Sequence, residues 1–425
     1  MKIVREDSTV SEVKYQGQWW FPDNSDKKFL GVLTLNNNQR PILEILEDLH
    51  TIPRSKLIHG LAEGEYFTLF DCEEVGVSIQ RMDIAKKSMS TTRTYYVSRC
   101  IKNSLINNKF EAIKFTSALL SYTFSSSWGN TSKVIKADQE NDTFKFECEQ
   151  GKNKTYNTSI GAITIYQESI LKRRFNEISW KSESYIKVRF IKPQSFEETH
   201  HKVIYLLQNF LTLATNKPNY PTNVKLELED KQDSFIQLIN FYLYNEEISS
   251  QIIGNNITLG CEFSYIQDRF QKIMDTWIKL NKIASDPINI YFFTQYYSKG
   301  YSSIENQFLS LVQVIEGYHK IVINPRNKSI LKHRIADFLK RYKHYCYNLF
   351  KSSAMIIQKN EDDFAELIKD TRNYYSHLGT QNKTLLSQEQ ILECRDTLKL
   401  LFRVCLLEKL DFDYQDIKNI LILTR

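Results

Sequence analysis

No stretch of this chain approaches the roughly 20 consecutive apolar residues that a membrane-spanning helix requires. The opening Met1-Lys2-Ile3-Val4-Arg5-Glu6 lacks the pattern of a signal peptide, so cytoplasmic residence without a membrane is the expectation. The seven cysteines, Cys72, Cys100, Cys148, Cys261, Cys346, Cys394 and Cys405, are odd in number and contain no C-x-x-C pair, which argues against a disulfide framework and a zinc ribbon. Strong charge is missing too. A net charge of +6 over 425 residues is mild, so any nucleic-acid footprint must come from local clustering. The chain also lacks a lysine-bearing P-loop, a G-x-G-x-x-G turn and an H-E-x-x-H pair, and no cofactor or metal is expected.

What is present is a soluble, globular composition, 42% hydrophobic and 25% charged, in a chain long enough for two or three domains. The fold class it predicts is multidomain α+β, a β-rich N-terminal region followed by an all-α helical bundle. Residues 1–155 read as β: Phe29 to Leu35, Tyr66 to Cys72, Arg93 to Val97 and Lys133 to Ile135 are strand-like, with His59-Gly60 and Gly64-Glu65 flanking a turn. Trp19 and Trp20 offer a ligand platform, but aromatic residues beside a β-turn more often pack. Residues 156–260 read as an α+β middle module. In it the capping box Ser195-Phe196-Glu197-Glu198 opens a helix that runs to about Leu213, and further strands start at Val224 and Phe235. The adjacent His200 and His201 point about 100° apart and have no partners at metal-ligand spacing, which favours solvated surface histidines. From 261 to 425 the period is helical. Five amphipathic helices are predicted, with Ser302-Ser303-Ile304-Glu305 and Ser387 among their caps.

The fourth of these helices ends in Asp370-Thr371-Arg372-Asn373-Tyr374-Tyr375-Ser376-His377-Leu378-Gly379. Asn360 is its expected N-cap, Glu361, Asp362 and Asp363 complement the positive helix end, and Gly379 suits the left-handed position that closes it. Asn373 and His377 are four apart and share a face, as do Asp370 and His377; Arg372 lies off that face but has a long reach. A histidine that exchanges protons and an arginine fork that holds phosphate oxygens are what metal-free cleavage of RNA by its own 2′-hydroxyl needs. Tyr375 is a candidate for stacking a base, though packing at a dimer seam is favoured. The third helix carries Lys328, Lys332, Arg334, Lys340, Arg341 and Lys343 against Asp337, a face suited either to solvent or to phosphate. Glu316 on the second helix is read either as a surface carboxylate or as a partner for Arg372.

The phrase Arg372-Asn373-Tyr374-Tyr375-Ser376-His377 resembles the R-x4-H signature of the HEPN superfamily, most closely its ApeA type from bacterial anti-phage systems. The opening Gly17-Gln18-Trp19-Trp20-Phe21-Pro22, the step Gly31-Val32-Leu33-Thr34 and the segments at His59-Gly60 and Thr68 to Cys72 are similar to the N-terminal domain of ApeA-type proteins. The resemblance implies a metal-independent endoribonuclease that leaves 2′,3′-cyclic phosphate ends, with Arg372, His377 and Asn373 catalytic and Glu316 and Asp370 supporting. It also implies an RNA-binding face formed by Lys332, Arg334, Lys340, Arg341, Lys343 and Tyr375, and a homodimer through the helical domain. Host RNA, with tRNA foremost, is the implied substrate, cut in abortive infection after a phage-derived trigger. The alternatives are a non-catalytic HEPN module that dimerises or binds RNA, and a ligand-binding protein led by the N-terminal domain.

Overall fold

The computed structural model describes residues 13–35, 40–48, 56–83, 88–140, 143–174, 177–229, 235–239, 260–296, 302–326, 329–347, 360–377 and 384–423. Leu378, Gly379 and Lys328 lie outside them. Among the described residues, fourteen strands form one antiparallel sheet that runs from Lys154–Thr158 at one edge to Glu73–Asp83 at the other. Lys133–Glu140 and Thr143–Glu149 pair separately as a two-stranded ribbon.

So long a sheet cannot lie flat over a single core, and two apolar clusters divide its faces. One gathers Trp19, Phe21, Leu33, Leu43, Phe67, Leu69 and Cys100. The other begins at Phe70 and Ile101 and takes in buried residues of the later strands of the sheet, from Phe115 to Leu238, and of the helices. Strand Arg99–Lys102 is the seam, because successive strand residues face opposite ways: Cys100 joins the first core and Ile101 the second. Trp19 is fully buried, and a β-carbon at Gly60 would lie 2.3 Å from its ring. The tryptophan is therefore packing rather than a platform. His59 and Gly60 sit within strand Ile58–Ala62, and the turn itself is Glu63-Gly64, both with positive φ as a tight hairpin needs.

In the second core the helices begin with α1 (Ser125–Gly129) and α2 (Phe196–Thr199). Ser195 caps α2 as expected: its Oγ accepts from the Glu198 N–H at 3.3 Å, and Glu198 Oε2 accepts from the Ser195 N–H at 3.2 Å. The helix passes through a π-turn at His200–Ile204 into α3 (Tyr205–Thr215), where every residue from Leu206 to Thr215 is buried. Sheet lies on one side of α3 and bundle on the other. The bundle comprises α4 (Phe263–Ile266), α5 (Phe270–Ile283), α6 (Ser285–Tyr296), α7 (Ile304–Tyr318), α8 (Leu331–Tyr347), α9 (Glu361–His377), α10 (Gln388–Lys409) and α11 (Tyr414–Leu423). The stripe of Phe263, Ile266, Phe270, Ile273 and Trp277 is buried as its period requires.

Side chains of three bundle residues fasten the bundle to α3. Trp277 Nε1 donates to the Leu206 carbonyl at 3.0 Å, Tyr296 Oη to Asn209 Oδ1 at 2.8 Å, and the buried Arg403 to the Leu213 carbonyl at 3.1 and 3.2 Å.

Candidate functional site

Helix α9 presents Phe364, Ala365, Leu367, Ile368 and Thr371 to the core, a spacing that leaves the last turn only partly covered. Its start is the predicted one. Asn360 Oδ1 accepts from the Asp363 N–H at 2.8 Å, satisfying one of the donors a helix N-terminus leaves open. At the other end Arg372 is half-buried, Asn373, Ser376 and His377 are exposed, and Tyr375 packs part of its ring on the core. Arg372 Nη1 donates to Asn373 Oδ1 at 3.2 Å. This draws the guanidinium round to the face that Asn373 and His377 share.

Two neighbouring helices begin at this end. The Thr371 hydroxyl accepts from the Leu386 N–H at 3.0 Å and donates to the Leu367 carbonyl at 2.8 Å, so the segment leading into α10 is pinned one residue before Arg372. At α7, Gln307 Oε1 in the first turn accepts from Arg395 Nη1 of α10 at 3.3 Å, which ties the start of α7 to the helix pinned at Thr371, and burial with the carboxylate of Glu305 raises the Tyr375 phenol above its ordinary range. The N-termini of α7 and α10, capped by Ser303 and Ser387, thus lie beside the Arg-His end of α9, a grouping of positive helix ends that suits an anion. Thr371 escaped the sequence reading, and the available signal was a threonine falling on an otherwise apolar face.

The basic face of α8 is engaged. Lys332 pairs with Glu366 at 3.0 Å, Lys340 with Asp362 at 2.9 Å and Lys343 with Glu361 at 3.0 Å, so α8 and α9 run antiparallel with a ladder of ion pairs between them. Bonds from Lys369 and Lys332 push the Glu366 carboxyl down to about 2. Arg341 pairs with Asp337 at 3.0 Å within α8. The carboxylates come from the first turns of α9, where they also answer the helix dipole. Glu316 pairs with Arg334 at 3.1 Å and not with Arg372, because the last turn of α7 crosses α8 while Arg372 sits at the opposite end of the bundle. Asp370 is largely buried and lies 3.3 Å from the Lys369 ammonium. The buried His319 meets Asp337 at 2.7 Å, a pairing that sequence spacing does not reveal.

Away from the motif, His200 departs from the expectation of a solvated pair. It is half-buried, stacks on Phe196, and burial drives its imidazole down to about 4; His201 is exposed. No helix among the described residues is long and apolar enough to cross a membrane.

Two family matches cover most of the chain. The family described as ApeA N-terminal domain 1 matches residues 14–277, and the one described as Apea-like HEPN matches residues 309–416. No curated protein and no solved structure matches the chain.

Proposed function

The chain belongs to the ApeA family, with an Apea-like HEPN domain behind its N-terminal domain, and from that premise we propose that it is a metal-independent endoribonuclease of anti-phage defence. The observation that carries the reading is the bond from Arg372 to Asn373, which brings the guanidinium onto the face of His377 at an exposed helix end. In the proposed reaction the His377 imidazole takes the proton of a ribose 2′-hydroxyl. The hydroxyl oxygen attacks the adjacent phosphorus, and the 5′-oxygen leaves with a proton from a second acid. Arg372 offers N–H donors to the phosphate oxygens as their charge grows.

One histidine cannot serve as base and acid in the same step, so a second copy of the chain is proposed to bring its own motif helix to the groove, in a two-fold dimer through the helical domain. Host RNA, tRNA foremost, is the proposed substrate, and a phage-derived trigger the proposed release. The test is incubation of purified protein with total bacterial RNA in EDTA beside Arg372→Ala and His377→Ala. Discrete fragments ending in cyclic phosphate are expected from the wild type, with each variant slower by at least about a hundredfold. Fragments that persist in both variants would overturn the assignment.

The pairing of Lys332, Lys340 and Lys343 with carboxylates of α9 favours a second reading, a HEPN module that dimerises without cutting. That reading predicts phage protection unchanged in His377→Ala.

A further inference from the structure

A cavity of about 380 Å³ opens in the sheet-rich half of the molecule, far along the chain from the Arg-His helix. It lies at the seam between the two cores, among strand Arg99–Lys102, the turn at Phe110–Ala112 and the capped start of α2. Its volume falls in the range that holds a small organic ligand.

The floor is aromatic. Phe110 and Phe196 approach with centroids 4.9 Å apart, and His200 lies nearly parallel to Phe196, at 15° and 6.1 Å. Phe110 and Phe196 are themselves nearly fully buried, so what they turn to the cavity is ring edge, which packs against the face of a flat partner. Because burial holds His200 near 4, it presents a neutral ring at neutral pH.

The rim is polar and sided. The Arg99 guanidinium stands 4.6 Å from the Phe110 ring centroid, and its Nη1 donates to Asp71 at 3.1 Å and Glu111 at 3.2 Å. Those bonds use one nitrogen of the fork, and Nε and Nη2 are available for a pair of acceptors. The carboxylates of Glu111 and Glu197 supply acceptors on the same rim. Among the lining side chains one cation stands against two carboxylates. A phosphate group is therefore disfavoured.

A flat, uncharged ring with two adjacent acceptors on one edge and two adjacent donors on another fits this rim. Guanine has that pattern: O6 and N7 take an arginine fork, and N1–H with the N2 amino group gives two parallel bonds to a carboxylate. Adenine offers one donor and one acceptor on each edge and satisfies neither group fully. We propose that this cavity binds a guanine nucleoside, with Arg99 on the O6/N7 edge and Glu111 or Glu197 on the N1/N2 edge. The site is distinct from the Arg-His end of α9, and its occupancy is read without any cleavage assay.

The experiment is calorimetric titration of the full-length protein with guanosine, 7-deazaguanosine, adenosine and guanosine 5′-monophosphate. Guanosine is expected to bind saturably and at least tenfold tighter than adenosine. Loss of N7 in 7-deazaguanosine should weaken binding severalfold, and the monophosphate should bind more weakly than the nucleoside. Arg99→Lys should weaken guanosine binding at least tenfold by removing the fork. Glu197→Gln, at an exposed position on the rim, should weaken it severalfold with Tm unchanged. Absence of saturable heat with guanosine, equal affinity for adenosine, or a preference for the monophosphate would each overturn the proposal.

Discussion

Thr371 shows how one hydroxyl can position a reactive end. It accepts from Leu386 and donates to Leu367, joining α9 to the entry of α10 one residue before Arg372. Thr371→Val keeps the shape but leaves the Leu386 N–H buried without its acceptor, which costs about 1–3 kcal/mol. Chemical denaturation checks this, and a larger fall in RNA cleavage than in stability would mark the threonine as a positioning residue. His200 supports a pH prediction. The unfolded chain protonates near 6.5, while the folded state holds the imidazole neutral to about 4. Its contribution to stability is therefore full above pH 6.5 and is lost as the pH falls from there toward 4. Melting curves across that window should show the wild type losing Tm more steeply than His200→Gln.

At the scale of elements, α8 and α9 are held in register by charge as well as by their apolar faces. Exposed ion pairs are individually weak and screened by salt. A triple change Glu361→Gln, Asp362→Asn, Glu366→Gln should lower Tm modestly at low salt and remove most of the salt dependence of the wild type. Because the Glu366 carboxyl is held at about 2, its share is present above the ordinary carboxylate value of 4.5 and lost as the pH falls from there to about 2. The same pairs show where sequence reading stops. Caps at Ser195, Asn360 and Ser387 were legible because capping is written in residues three apart, whereas at α7 the cap falls one residue past the expected Ser302-x-x-Glu305 box, with Ser303 accepting from Asn306. The apolar stripes of α5, α7 and α8 were legible by period. Helix α6 was missed: Pro287, Ile288, Tyr291, Phe292, Thr294, Gln295 and Tyr296 bury it on several sides, so no polar face marks its period. Apart from Arg341, the α8 cations have partners 18 to 34 residues away, and a count of basic residues cannot see them. Legible at the candidate site were the helix, its cap and the Arg-Asn-His spacing; the Arg372–Asn373 bond and the nearness of α7 and α10 needed the fold.

Across the whole molecule, one apolar cluster runs from Phe70 through α3 to Leu421, joining half of the sheet to the bundle. Arg403 lies inside it, and burial lowers its guanidinium to about 10, still charged at neutral pH. Replacing it with Met leaves the Leu213 carbonyl without its two bonds and should cost about 1–3 kcal/mol, a Tm loss of about 1–3 °C. Calorimetry should show that loss in the transition that melts sheet and bundle together, and a shift confined to a separate bundle transition would contradict the shared core. The burial of α3 on two sides has a further consequence for how such proteins can be recombined. An N-terminal half exchanged between relatives with a cut near residue 260 would arrive with Leu206, Asn209 and Leu213 facing foreign side chains at Trp277, Tyr296 and Arg403. The heritable unit of exchange is then α3 together with α5, α6 and α10. Chimeras that carry these four helices from one parent should yield soluble protein, while those that divide them should aggregate.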